Sequence, residues 1–211
     1  KVLKKHFNDY AKKMISVFKL NKKSKILDIA CNDGTFLEYF KNKKFRHVVG
    51  VEPAKNLRIL NLKKGIDINT NFFGKKFSDK MKDNYESFDL ITANNVFAHS
   101  PHLYDFSQGV KNLLSAKGIF VFEVSYLSTV LKKKKFDTIY HEHMSYHSLK
   151  PLVIFFKMQN LQVFDFELIE AQGGSLRVFV SHLKSYRVKK NKIDKQIKRE
   201  INQGLFTKKR Y

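Results

Sequence analysis

The segment Phe136 to Ser148, FDTIYHEHMSYHS, sets Tyr140, His141, Glu142, His143, Tyr146 and His147 almost side by side. Near neutral pH a histidine can take up a proton, a neighbouring carboxylate can orient it, and a tyrosine hydroxyl can donate to a developing oxyanion. The same side chains permit two other readings. His141, Glu142, His143 and His147 supply nitrogen and oxygen donors of the kind a metal takes, although no further ligand is singled out. Alternatively, the polar groups serve only to satisfy the backbone of a loop.

A second chemical stretch runs from Lys25 to Glu52, KILDIACNDGTFLEYFKNKKFRHVVGVE. Ile26, Leu27 and Ile29 suit a buried parallel strand. Cys31-Asn32-Asp33-Gly34 is turn chemistry, with Gly34 free to take a positive φ or to admit a ligand close to the backbone. Thr35 is placed to cap a helix carrying Phe36, Leu37 and Phe40 on one face. His47 to Val51 is the next strand, and it ends in Glu52. A carboxylate there, about 20 residues beyond the turn, can accept hydrogen bonds from both hydroxyls of a ribose, while the turn offers backbone N–H groups to the rest of a nucleoside. Of three possible phosphate-binding glycines only Gly34 is present, so a pyrophosphate is not expected at this turn. Asp28 and Asp33 suit a ligand with an amine and a positive centre, and S-adenosylmethionine has both as well as a ribose. The segments LDIACNDGT and VGVEP resemble the first two motifs of class I methyltransferases, departing at Ala30 and Asn32, where glycines are usual.

The elements that must position these groups are legible in order. Leu3, Phe7, Tyr10, Met14, Val17 and Phe18 give residues 1–20 an amphipathic helix that packs on the domain C-terminal to it. After Glu52 a helix from Asn56 to Lys64 closes at Gly65. Ile66 to Phe73 is expected as the third strand, with Phe72 and Phe73 at its end, either stacking on an adenine or serving the core or its rim. A polar helical stretch leads to the fourth strand, Phe88 to Ala93, whose C-terminal end carries Asn94 and Asn95 on the side where ligands of open α/β sheets bind. Tyr104 to Leu114 is helical, with Phe106, Val110, Leu113 and Leu114 as its stripe. Lys117-Gly118 turns the chain into the fifth strand, Ile119 to Val124. Ser125 to Ser148 has no clear period. A helix from Leu149 comes next, then strands Leu161 to Ile169 and Leu176 to Ser181, paired antiparallel about Gly173-Gly174. The expected fold is therefore α/β and Rossmann-like, a mostly parallel seven-stranded sheet with a reversed final hairpin and helices on both faces. Residues 21–183 form its body. Residues 184–211 are strongly basic, with Ile193, Ile197 and Ile201 at helical spacing, and are expected to open a further region; a polybasic tail for anionic surfaces is the alternative.

Forty-one basic residues against 19 acidic ones give a net charge of +22. Only six of the basic residues are arginine, the residue that base recognition favours. The lysine excess sits beside abundant asparagine, isoleucine and phenylalanine, all with AT-rich codons, and is read as compositional drift; no nucleic-acid partner is expected. The single Cys31 excludes an internal disulfide or a cysteine-based zinc site within this chain. No run of about 18 apolar residues is present, so no membrane span is expected, and a cytoplasmic monomer fits. The chain begins at Lys1 and is read as a fragment of a longer protein.

Taken together, NDGTFL, VGVEP, ITANNVFAH, FVFEVSYL, FDTIYHEHMSYHSLKPL and GGSLRVFV resemble the sugar C-methyltransferase family, in order from Lys25 to Ser181. One position differs, with His147 standing before the final serine. The resemblance implies C-methylation of a nucleotide-linked keto-deoxysugar through an enolate, with S-adenosylmethionine as donor. It implies Tyr140, Glu142 and His143 as the acid–base group, His143 foremost as the base. Asp28, Ala30, Asn32, Asp33, Gly34, Glu52, Phe72, Asn94 and Asn95 are the expected cofactor-binding residues. His99, His141 and Tyr146 are the expected substrate-binding residues, with His99 a second candidate base. No metal is expected in this chain, since no third ligand is singled out to join His141 and His143; by the resemblance, zinc belongs only to a cysteine-rich N-terminal domain that would precede it. An O- or N-methyltransferase of another small molecule, or a basic nucleic-acid-binding module on the same fold, is the alternative.

Overall fold

The computed structural model describes residues 2–170 and 173–208. The chain forms two compact units, Lys1–Asn94 with Tyr104–Phe120, and Asn95–Leu103 with Val121–Tyr211. The strands are β1 (Lys25–Ile29), β2 (His47–Val51), β3 (Asp67–Asn69), β4 (Phe88–Asn94), β5 (Leu114–Ser125), β6 (Leu161–Ile169) and β7 (Ser175–His182), in the order β3-β2-β1-β4-β5-β7-β6, a seven-stranded sheet with helices on both sides.

In the first unit, β1 (Lys25–Ile29) pairs in parallel with β2 (His47–Val51) on one side and β4 (Phe88–Asn94) on the other. Ile26, Leu27, Asp28 and Ile29 are all buried, as a central parallel strand covered on both faces requires. The amphipathic helix α1 (Val2–Phe18) buries Tyr10, Ala11 and Met14. Its Tyr10 ring lies 4.9 Å from that of Phe36 in α2 (Thr35–Asn42), and Phe36, Phe40 and Phe45 continue as an aromatic ladder at 5.4 and 5.3 Å. Gly50 of β2 leaves room for the Cys31 side chain, since a Cβ there would lie 2.6 Å from the sulfur. A short 3₁₀ turn (Lys55–Leu57), α3 (Arg58–Lys63), α4 (Lys75–Tyr85) and α5 (Leu103–Leu113) complete the helices before the fifth strand.

Several expectations are corrected here. The third strand is only Asp67–Asn69, not Ile66 to Phe73, because β2 offers it just three partners, Val49, Gly50 and Val51. Beyond it, Phe73 leaves the sheet to pack on Phe106 at 5.2 Å, and Phe72 is exposed. Thr35 is not the cap of α2; Gly34 holds that position at φ 75°, and Thr35 is the first helical residue. Strand β5 runs without a turn at Lys117-Gly118, from Leu114 to Ser125, the Gly118 backbone lying close against the Phe88 carbonyl.

In the second unit, β6 (Leu161–Ile169) and β7 (Ser175–His182) form the expected antiparallel pair, with a bulge between Val163 and Asp165. The stretch Ser125 to Ser148 is not without structure. It contains α6 (Leu127–Lys132) and a 3₁₀ turn at Phe136–Thr138, each too short to show a period in sequence. Helix α7 (Leu149–Met158) comes after it. The core of the unit is aromatic: Phe97 stacks among Phe122, Phe156 and His147 at centroid distances of 4.6, 6.0 and 5.4 Å. Helix α8 (Lys190–Asn202) buries Ile193, Gln196 and Glu200, whereas Ile201 of the expected apolar stripe is half exposed. The fully buried Glu200 carboxylate explains the difference. It accepts from the N–H groups of Leu149 (2.6 Å) and Lys150 (3.0 Å) at the start of α7 and from the Tyr126 hydroxyl (2.9 Å). Residues 209–211 of the expected basic tail lie outside the described residues.

Candidate functional site

Two groups of functional side chains are built, one within each unit. The first is the turn after β1. Ala30, Asn32 and Gly34 have φ values of 55°, 53° and 75°. Left-handed backbone costs an L-residue about 1–2 kcal/mol, less for asparagine, so the two departures from glycine carry real strain. The N–H groups expected to face a ligand are consumed within the protein. That of Cys31 donates to the Val51 carbonyl, Asn32 to Glu52 Oε2, Asp33 to the Asn32 side chain, Gly34 to the Cys31 carbonyl and Thr35 to Asp33 Oδ1. This overturns the expectation of a donor-lined turn and leaves nothing with which to cradle a phosphate. Gly34 does not make space for a ligand either, because a Cβ there would lie 2.4 Å from the Asn61 side-chain oxygen.

The acidic groups around this turn are ordered. Glu52 is buried, accepting from the Asn32 N–H through Oε2 and from the Ala54 N–H through Oε1, each at 3.0 Å. A carboxylate has about four lone-pair positions, so each oxygen keeps capacity for one more donor. Asp28 is buried beside the Thr92 hydroxyl at 2.7 Å. Burial alone would raise the Asp33 carboxyl, but the hydroxyl and N–H of Thr35, with Lys64, hold it below the usual carboxylate range. Burial, reinforced by Asp28, Glu52 and Asp33, pushes the Cys31 thiol far up, so it stays protonated and inert. At the end of β4 the side-chain oxygen of Asn94 is buried with no hydrogen-bond partner among the described residues. An unspent buried acceptor on Asn94, together with a Glu52 carboxylate that keeps spare lone pairs, fits a ligand that brings hydroxyl and ammonium donors. S-adenosylmethionine brings both.

The second group surrounds a cavity of about 350 Å³ in the second unit, lined by Asn95, His99, Lys135, Asp137, Tyr140 and His143 among others. The 3₁₀ turn Phe97–His99 is anchored by the fully buried Phe97, and the Ala98 carbonyl accepts from the N–H groups of Met144 and Ser145 at 3.0 and 3.3 Å. That tie brings the imidazole rings of His99 and His143 to 4.8 Å. His143 Nδ1 donates to the Thr138 carbonyl at 2.7 Å, which fixes the tautomer and leaves Nε2 as the basic nitrogen; the Tyr140 hydroxyl lies 3.2 Å from it. The Tyr146 hydroxyl donates to the same Thr138 carbonyl at 3.1 Å. Burial, then the neighbouring His143, lower the His99 pKa.

Of the expected site residues, Asn95, His99, Tyr140 and His143 thus line one cavity, and Tyr146 bonds to the carbonyl of Thr138, which also lines it. Glu142 and His141 are exposed and do not line it. Among the described residues no three His, Cys, Asp or Glu side chains converge as a metal site would need. Lys135, Asp137 and the Thr138 carbonyl escaped the sequence reading. The first two have the charge to signal a site but sit where no period marks the fold, and a carbonyl has no sequence signature at all.

Comparisons with known proteins bear on the family and the fold. A family model described as "Methyltransferase domain" matches residues 3–165. The C-methyltransferase NovU of Streptomyces niveus is 32% identical over 180 residues, covering 85% of this chain; the chain spans 43% of that relative's length. The magnesium protoporphyrin IX methyltransferase of Synechocystis PCC 6803, solved with bound SAH, superposes with a TM-score of 0.63 at 10% identity, over 85% of this chain and 83% of that one. An S-adenosylmethionine-dependent methyltransferase of Clostridium acetobutylicum gives 0.63 at 15% identity, over 84% and 91%. At such identities the superpositions establish the fold, a Rossmann-like methyltransferase sheet. With its family model matched over more than three quarters of its length, the chain belongs to the methyltransferase-domain family.

Proposed function

We propose that this chain is the catalytic domain of a C-methyltransferase that methylates carbon next to the carbonyl of a nucleotide-linked keto-deoxysugar. S-adenosylmethionine is its cofactor and supplies an electrophilic methyl group on a sulfonium. Glu52 would hold the ribose hydroxyls with its spare lone pairs, and Asp28 and Asn94 would receive the amine. Phe72, exposed and apolar, is available to an adenine face.

The observation that carries the choice of carbon is the fixed tautomer of His143. Carbon next to a carbonyl becomes a nucleophile only when a proton is removed from it. His143 Nε2, with Nδ1 held by the Thr138 carbonyl, is set up to take that proton. The Tyr140 hydroxyl now lies against Nε2; turned to the substrate oxygen instead, it would stabilise the enolate by donation. Burial, then the neighbouring His143, lower the His99 pKa, which disfavours a second cation beside the imidazolium formed on His143. Lys135 and Asp137 give the cavity one charge of each sign for the polar groups of a sugar. The resemblance to the C-methyltransferase NovU supports the same choice.

The test is His143→Ala. Methyl transfer should fall by roughly 100-fold or more while S-adenosylmethionine affinity stays within about twofold. The wild type should also exchange the sugar's α-proton with deuterated solvent before any methyl transfer, and the variant should not. Retained turnover without exchange would instead favour transfer to oxygen or nitrogen.

A further inference from the structure

In the turn after β1, Ala30 and Asn32 both hold left-handed backbone, a conformation that favours glycine. The strain at Asn32 is matched by an unusual set of contacts from α3. Asn61 is fully buried, and its side-chain amide donates to the Asn32 carbonyl at 2.7 Å and to the Leu57 carbonyl at 3.0 Å. Three residues on, Lys64 Nζ donates to the Asp33 carbonyl at 2.7 Å. Asn32 is therefore gripped on both sides, its carbonyl by Asn61 and its N–H by Glu52 Oε2. The space Asn61 occupies is the space that a side chain at position 34 would need.

The geometry points to Asn61 as a positioning residue for the cofactor: its amide holds Asn32 in the left-handed conformation that sets the Glu52 carboxylate for the ribose. The inference rests on the S-adenosylmethionine reading of this turn. Glycine adopts that conformation unaided, so a chain with glycine at position 32 has no need of the clamp. Asn61 would thus do through a hydrogen bond what a glycine at position 32 would do through freedom.

A double-mutant cycle over Asn61→Leu and Asn32→Gly tests this, read by calorimetric titration with S-adenosylmethionine and by Tm. Asn61→Leu keeps the branched shape, with somewhat more bulk, but takes the side-chain donor from the Asn32 carbonyl, so affinity should fall by about tenfold. In the Asn32→Gly background the same substitution should cost less than about threefold. If Asn61→Leu alone does not fold, folding and binding by the double variant support the clamp. Equal loss in both backgrounds, unchanged affinity in Asn61→Leu, or a double variant that does not fold would overturn it, leaving Asn61 a packing residue. Failure of the wild type to bind S-adenosylmethionine would be a different result, striking the cofactor reading itself.

Discussion

Ala30 at φ 55° has no polar side chain to bond its own backbone, so its left-handed conformation is held by the surroundings alone. Ala30→Gly should therefore raise stability by about 1 kcal/mol, read as a higher Tm; a lower Tm would mean the methyl group packs too well to lose. His147 gives a pH prediction. Burial pushes its pKa down from 6.5 to about 4, so the unfolded chain takes a proton at a higher pH than the folded one. The contribution of neutral His147 is complete above about 6.5 and is lost as pH falls toward 4, by an amount of order 3 kcal/mol. Tm measured across that interval should fall more steeply for the wild type than for His147→Gln, and equal slopes would contradict the assignment. Tyr140, His99 and His143 were legible in the sequence as residues, and the structure brings them to one cavity. What could not be read was the polarity of His143, because the group that fixes it is the Thr138 carbonyl, which every residue type carries.

Among the elements, those with a long period or a buried apolar run were readable: α1, the β1-α2-β2 unit and the β6-β7 hairpin. Those stabilised by buried polar groups were not. Helix α8 looks in sequence like an isoleucine stripe, yet its central contact is Glu200, which serves the first N–H groups of α7 and the Tyr126 hydroxyl that precedes α6. One carboxylate thereby pins both ends of the segment 127–148 that carries Tyr140 and His143. A helix N-terminus favours a negative charge, and three donors share this one. Glu200→Ala should strand all three and cost about 2–4 kcal/mol, read by denaturant titration, with faster amide exchange in α7. A loss below about 0.5 kcal/mol would show that water replaces the carboxylate at no cost.

For the molecule as a whole the charge of +22 is the dominant long-range quantity. Arg177 is buried with Glu123 and, on its other side, Glu167 at 3.2 Å, whereas Lys5 and Lys75 pair with Asp9 and Asp79 at the surface. Self-repulsion of the lysines should make Tm rise as salt goes from about 0.01 M to about 0.15 M, where the screening length shrinks from about 30 Å to about 8 Å. A Tm that falls with salt would mean that surface ion pairs outweigh the repulsion. Among the described residues no helix is long and apolar enough to cross a membrane. On the proposed reading cofactor binding turns on Glu52 beside the loop after β1, where the loop's own N–H groups are spent and each Glu52 oxygen keeps capacity for one more donor. Calorimetric titration of the chain with S-adenosylmethionine, beside a Glu52→Ala variant checked for folding, puts that to the test. A single saturable site is expected in the wild type, with at least about a tenfold loss in the variant, the worth of charge-assisted bonds to two hydroxyls. Equal affinity in the folded variant, or no binding by the folded wild type, would contradict it.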